Sequence, residues 1–225
     1  MINKRKRLGR TLKAPDLPQQ KLQKAQSGET LEEGMNYTLA MLTRSDWSGQ
    51  RTRHISFDQV LFDHGQLSGT HFEHVRVLDS RFNACDLANA HWVKADFARV
   101  ELLDCHLIGW QANEARFQDT LFKECVGHFM QCALAKFAAV RFENCDLSNA
   151  NFFEADLSGV LFVNCDLSNA DFSGAKLAGA DLRGSKIDCI RIGPVELQGA
   201  TLDPTQALAF VRGLGIIVKA PEEMP

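Results

Sequence analysis

Every fifth residue from Leu42 to Leu202 is apolar with two exceptions, and that regularity narrows the possible folds more than any other feature of the chain. The series opens Leu42, Trp47, Thr52, Phe57, Phe62, Leu67, Phe72 and keeps register over 33 positions without an insertion. Only Thr52 and Gly127 break it, whereas an apolar content of 45% would place about 15 apolar residues there by chance. A second series runs two residues ahead, from Ala40 to Ala200, and is small or β-branched except at Gln50, Trp110 and Met130. The intervening positions are mostly polar, as in Asp146, Ser148 and Asn149. A helix repeats every 3.6 residues and a strand every two, so neither explains the pattern. A five-residue unit sending one large and one small side chain inward does, and stacked units of that kind make a solenoid.

Composition bears on where such a chain works. The opening run contains Lys4, Arg5, Lys6 and Arg7, but Thr11 to Gln20 is polar and holds two prolines, so no secretory core follows. No apolar stretch reaches the length of a membrane span. Seven cysteines without a secretion signal point to free thiols in a reducing, cytoplasmic setting. Residues 1–13 carry six basic side chains and no acid, which leaves 19 bases against 28 acids over 14–225. A basic tail on an acidic body offers at most weak nucleic-acid contact through that tail. The prolines and glutamines between Ala14 and Gly34 read as a tether.

Segments such as Ala150-Asn151-Phe152, Ala155-Asp156-Leu157, Ala170-Asp171-Phe172 and Ala180-Asp181-Leu182 resemble the A(D/N)LXX motif of the pentapeptide-repeat family. The resemblance spans about residues 37–202 and implies an all-β fold, a right-handed quadrilateral β-helix with four pentapeptides, hence twenty residues, per turn. The expected layout is a basic, flexible tail over 1–34, the β-helix over 35–202 and an end cap over 203–225.

With twenty residues per turn, positions that differ by twenty stack in columns. Cys85, Cys105, Cys125, Cys145 and Cys165 then form a ladder in the small inward slot, where cysteine acts as a small hydrophobe rather than a metal or redox group. Trp110 precedes the small Ala112, and Met130 precedes Cys132, so volume is exchanged locally. Gly127 leaves a central slot nearly empty, which marks Leu121 to Val140 for a bend or a packing defect. Outward positions near it are apolar, namely Ile108, Val126, Phe129, Leu134 and Phe153. They form either a partner patch or a distorted turn whose side chains swing inward. His54 and His74 share one column and His71 and His91 another, compatible in spacing with a surface metal but without reinforcing ligands. One face collects Asp46, Asp86, Asp146, Asp166 and Asp188 against Lys186 alone.

No nucleophile motif, phosphate loop or paired-ligand motif is present, so no catalytic, cofactor-binding or metal residue is assigned and no small-molecule substrate is expected. After Leu202 the pair Asp203-Pro204 is helix-start chemistry, predicting a short helix to about Arg212, ending near Gly213. The segment Glu196 to Asp203, with Gln206-Ala207 and Leu214-Gly215-Ile216, is similar to the end of the Qnr-type quinolone-resistance group of this family. That resemblance implies a homodimer joined through Leu208, Phe210, Val211, Leu214, Ile216 and Ile217. It also implies an acidic rod that imitates duplex DNA toward the type II topoisomerase DNA gyrase, modulating or protecting it. The alternative is a passive scaffold for another protein partner, using the apolar patch or the basic tail.

Overall fold

The computed structural model describes residues 11–24 and 30–219. Short parallel strands stack one turn on the next: Asn36–Thr38 on Ser56–Asp58, Ala40–Thr43 on Leu61–Asp63, and Arg51–Arg53 on His71–Glu73. Eight-residue strands follow at Arg76–Asn83, Asp96–Leu103, Arg116–Lys123 and Lys136–Glu143, and then Leu161–Val163. From Asn36 onward partners differ by twenty, as in Val77↔Phe97, Phe97↔Phe117 and Phe117↔Phe137. The same step links the isolated bridges from Asp46↔Gln66 to Asp181↔Thr201. Twenty residues therefore complete one turn of a parallel β-solenoid, as the family resemblance implies.

The corner chemistry explains why the unit is five residues long. In every unit but the one with Pro194 at this position, one residue turns the chain in the left-handed region, for example Asn89, Asn149 and Asn169 at φ +54°, +57° and +59°. Asparagine tolerates that region better than most side chains. On many corners the turn closes from the central carbonyl to the third residue on, as in Ala90 N to Leu87 O at 3.0 Å and Ala150 N to Leu147 O at 3.1 Å. A positive φ at the third residue of such a turn is type II geometry. The Asp or Asn of the motif supports it from outside: Asp86 Oδ1 accepts from Ala88 N and Asp146 Oδ1 from Ser148 N, both at 2.9 Å. The repeat's aspartates are thus turn residues first.

Both inward series fill the interior. Aromatic rings stack in columns, with centroids 4.4 Å apart for Phe62 and Phe82, 4.6 Å for Phe122 and Phe142, and 4.8 Å for Phe97 and Phe117. Cys85, Cys105, Cys125, Cys145 and Cys165 are buried beside them as free thiols. The expected defect at Gly127 is absent. A Cβ on Gly127 would sit 3.0 Å from Leu147 Cδ2 and 3.6 Å from Met130 Sδ, so side chains of neighbouring slots occupy the space. The flanking strands Arg116–Lys123 and Lys136–Glu143 keep full register.

Both ends are closed by polar side chains. Gln50 and Thr52, exceptions in the two series, take up the first turn's lid: Gln50 Oε1 accepts from Leu31 N at 2.8 Å, and the Thr52 hydroxyl donates to Glu32 O at 2.9 Å. Leu31 itself is buried. At the far end the helix Pro204–Gly213 begins with a capping box between Asp203 and Gln206, close to the bounds expected from sequence. Gln206 Nε2 donates to Leu182 O and Ser185 O, both at 2.7 Å. A buried amide thus pins the helix onto the last coils.

The tether expected over Ala14 to Gly34 needs correcting within the described residues. Residues 11–24 lie along the rod: Lys13 N donates to Asp119 Oδ1 at 3.2 Å, Asp16 N to Asp79 Oδ1 at 3.0 Å, and Gln59 Nε2 to Asp16 O at 2.8 Å. Gln23–Lys24 then pairs in parallel with Ala40 and Met41. Two carboxylates at corners of the rod, Asp79 and Asp119, offer acceptors that the N–H groups of this proline-containing segment reach. The basic run 1–10 and residues 220–225 lie outside the described residues.

Candidate protein-interaction surfaces

The acidic face forms as one ladder column whose bridges run Asp46, Gln66, Asp86, His106, Val126, Asp146, Asp166, Lys186. Four of the five predicted acids belong to it. Asp188 stands two positions further round, exposed beside the turn of Asn169. Each column carboxylate is aimed by its own turn: Asp46 accepts from Ser48 N and Asp166 from Ser168 N, both at 3.0 Å. The Ser48 N–H and hydroxyl hold the Asp46 carboxyl below the ordinary value. The Ser168 hydroxyl and N–H, with Lys186, do the same for Asp166 against the opposing effect of its burial. These groups stay charged well into mild acid. Lys186 Nζ reaches Asp166 Oδ2 at 3.0 Å, so the far end of the stripe is partly neutralised.

The column is interrupted at mid-rod by His106 and Val126, and that is where the apolar residues lie. Ile108, Val126, Phe129, Leu134 and Phe153 are 40%, 36%, 51%, 47% and 42% exposed, so they do not swing inward. Of the two sequence readings, the distorted turn is the one that the ladder register excludes. Ile108, Val126 and Phe129 flank His128 on the acidic face, whereas Leu134 and Phe153 meet at the next corner, where Leu134 N donates to Phe153 O at 2.8 Å. Phe129 and Leu134 take the left-handed corner position at φ +59° and +61°.

At the carboxyl end the helix buries Gln206 alone. Leu208, Leu214, Ile216 and Ile217 are exposed, while Phe210 and Val211 are half-buried. An open cleft of about 360 Å³ lies between the helix and the last coil, lined by Ile187, Ile190, Phe210 and Leu214 among others. An apolar end with an apolar cleft beside it is a surface that water covers poorly.

The histidine columns form as spaced, with ring centroids 4.8 Å apart for His54 and His74 and 4.1 Å for His71 and His91. His71 Nδ1 lies 3.1 Å from Gly69 O. Partial burial, the neighbouring His71 and Arg51 together hold His91 below the ordinary histidine value. Among the described residues no group of three or more ligand-type side chains could hold a metal ion, and no helix is long and apolar enough to cross a membrane.

Sequence reasoning missed the charge stack under the amino-terminal segment. Arg99 lies between Asp79 and Asp119, and both acids are nearly buried. The signal was present, because Asp79, Arg99 and Asp119 are spaced by twenty and alternate in sign.

A family model described as a pentapeptide repeat region matches residues 95–172 and 128–206. No curated protein matches. Among solved structures, full-length QnrB1, a plasmid-mediated fluoroquinolone resistance protein, is 18% identical over 82% of this chain and 99% of its own, with a TM-score of 0.38. A trypsin-treated QnrB1 variant is 24% identical over 84% of this chain and 99% of its own, TM-score 0.36. HetL from the cyanobacterium Nostoc sp. strain PCC 7120, a pentapeptide repeat protein involved in heterocyst differentiation regulation, is 19% identical over 78% of this chain and 92% of its own, TM-score 0.30. With its twenty-residue turns, its paired inward series and the matched repeat region, this chain is a pentapeptide-repeat protein.

Proposed function

We propose that this chain is a non-enzymatic, cytoplasmic protein-binding rod that dimerises through residues 203–218 and presents its acidic column to a basic groove on a DNA-handling protein. DNA gyrase is the candidate partner, on the resemblance of the carboxyl end to Qnr-type members. The observation that carries the reading is the column Asp46, Asp86, Asp146, Asp166, whose carboxylates are aimed outward by hydrogen bonds within their own turns. Fixed charges spaced by whole turns along a rod can stand in for phosphates toward a protein built to hold duplex DNA.

The test is a gyrase supercoiling assay with purified full-length protein at low and high salt. The expected result is altered supercoiling or relief of drug-stabilised cleavage, weakening as salt rises. Asp146→Asn with Asp166→Asn should reduce the effect, since asparagine keeps the turn hydrogen bond and removes only the charge. No effect at micromolar protein and low salt would remove gyrase as the partner and leave the scaffold reading.

A further inference from the structure

We infer that the mid-rod interruption of the acidic column is an anchoring site for a protein segment carrying an apolar side chain between flanking lysines or arginines. The inference rests on the reading of this face as an acidic binding surface and names what gives it selectivity. Acids at Asp86 and Asp146 border the break, three turns apart in one column, which is about 14 Å at strand spacing. Between them lie exposed Ile108, Val126 and Phe129. An evenly acidic rod would need none of these.

Phe129 carries the argument furthest. Its column holds Asn89, Gly109, Asn149 and Asn169 at the same left-handed corner, residue types that suit that backbone. A phenylalanine there is half-exposed and sits in a backbone region that glycine and asparagine suit better. It is nonetheless held in place. Gln131 Nε2 donates to Phe129 O at 2.8 Å, and the His128 ring lies 4.0 Å from the Phe129 ring, centroid to centroid. His128 is fixed in turn by Ser148 Oγ, 2.7 Å from its Nδ1. A rigid, exposed aromatic on a corner loses little freedom on binding and serves as an interface anchor.

The charge pattern selects the occupant. A second copy docked on this face about a twofold axis through the break would bring the level of Asp86 onto that of Asp146, carboxylate against carboxylate. A segment with basic residues on both sides of an apolar one meets opposite charge at each end.

The experiment selects a random peptide display library on the full-length protein, with Phe129→Asn as counter-selection. Asparagine is native to this column, so the variant should keep the circular dichroism spectrum and a thermal midpoint no lower than the parent. Enriched peptides should place an apolar residue between lysines or arginines. A synthetic peptide of that sequence should bind Phe129→Asn roughly tenfold or more weakly, and Asp146→Asn should weaken binding and flatten its salt dependence. Failure to enrich over Phe129→Asn, enrichment of peptides without basic residues, or a change in oligomeric state caused by Phe129→Asn would each overturn the proposal. Gyrase answers separately: an undiminished gyrase effect in Phe129→Asn sinks the anchor and spares the acidic-face reading. Peptide binding as expected, without any gyrase effect, keeps the anchor on its acidic face and removes gyrase as the partner.

Discussion

Arg99 grips Asp79 at two points, Nε to Oδ1 and Nη2 to Oδ2 at 2.6 Å each, and the same Oδ1 receives the N–H of Asp16 from the amino-terminal segment. Burial opposes ionisation of Asp79, but Arg99 and the Asp16 N–H outweigh it and hold the carboxyl below its ordinary value of 3.8. A depressed native value means that the contribution is fully present above the unfolded value. It is lost as pH falls below about 4 through the lower native one. Residues 11–24 should therefore lose hydrogen-exchange protection in acid before the coils do. Asp79→Ala should release the same segment to protease at neutral pH, with the coils intact. Equal protection of the segment in Asp79→Ala would show that the ion pair does not hold it.

Gly127 and Met130 share one volume. Gly127→Leu alone should overpack the interior and cost roughly 1–3 kcal/mol. Met130→Ala alone should leave a cavity and cost roughly 2–5 kcal/mol. Together they should cost less than their sum, because each offsets the other's error. Thermal unfolding of the four proteins measures the coupling, and strict additivity would mean that the two sites do not exchange volume.

The thiols should divide sharply by position. Burial pushes the Cys132 thiol well above its ordinary value. Thiol hydrogen bonding to Cys125 raises Cys145, to about 12, and burial adds to it. Cys105 and Cys145 also donate to the carbonyls of Leu103 and Glu143 at 3.4 Å each. Cys189 alone is exposed. Maleimide labelling followed by mass spectrometry should modify Cys189 in native protein and the other six only after denaturation. Rapid native labelling of Cys105 would contradict the packed interior.

The carboxyl end should govern assembly. Phe210→Asp, or truncation after Asp203, is expected to give monomers or insoluble protein where the parent sediments as a dimer. Gln206→Ala strands the Leu182 and Ser185 carbonyls and should cost about 1–3 kcal/mol, loosening the helix without unfolding the coils. A parent that sediments as a monomer would return the apolar tail to a role as end cap only.

The sequence by itself settled the architecture, because a packed interior with a five-residue unit tolerates one large and one small side chain per unit and little else. That constraint is local, repeats 33 times and so survives exceptions. It also identified the cysteine ladder, the histidine columns and the helix start at Asp203-Pro204, each of which depends only on spacing or capping. Three matters needed the tertiary structure. Gln50 and Thr52 looked like faults in the repeat until Leu31 and Glu32 were seen to fold back on them. Gly127 looked like a void until Met130 and Leu147 were seen to fill it. The stretch Ala14 to Gly34 looked like a tether because its composition lacks a core of its own, whereas Asp16 within it and Lys13 just before it find partners, Asp79 and Asp119, that lie 63 and 106 residues away. Periodicity reports what each unit does with its own five residues. Which distant group satisfies a buried polar atom or occupies a gap is decided only when the chain is closed in three dimensions.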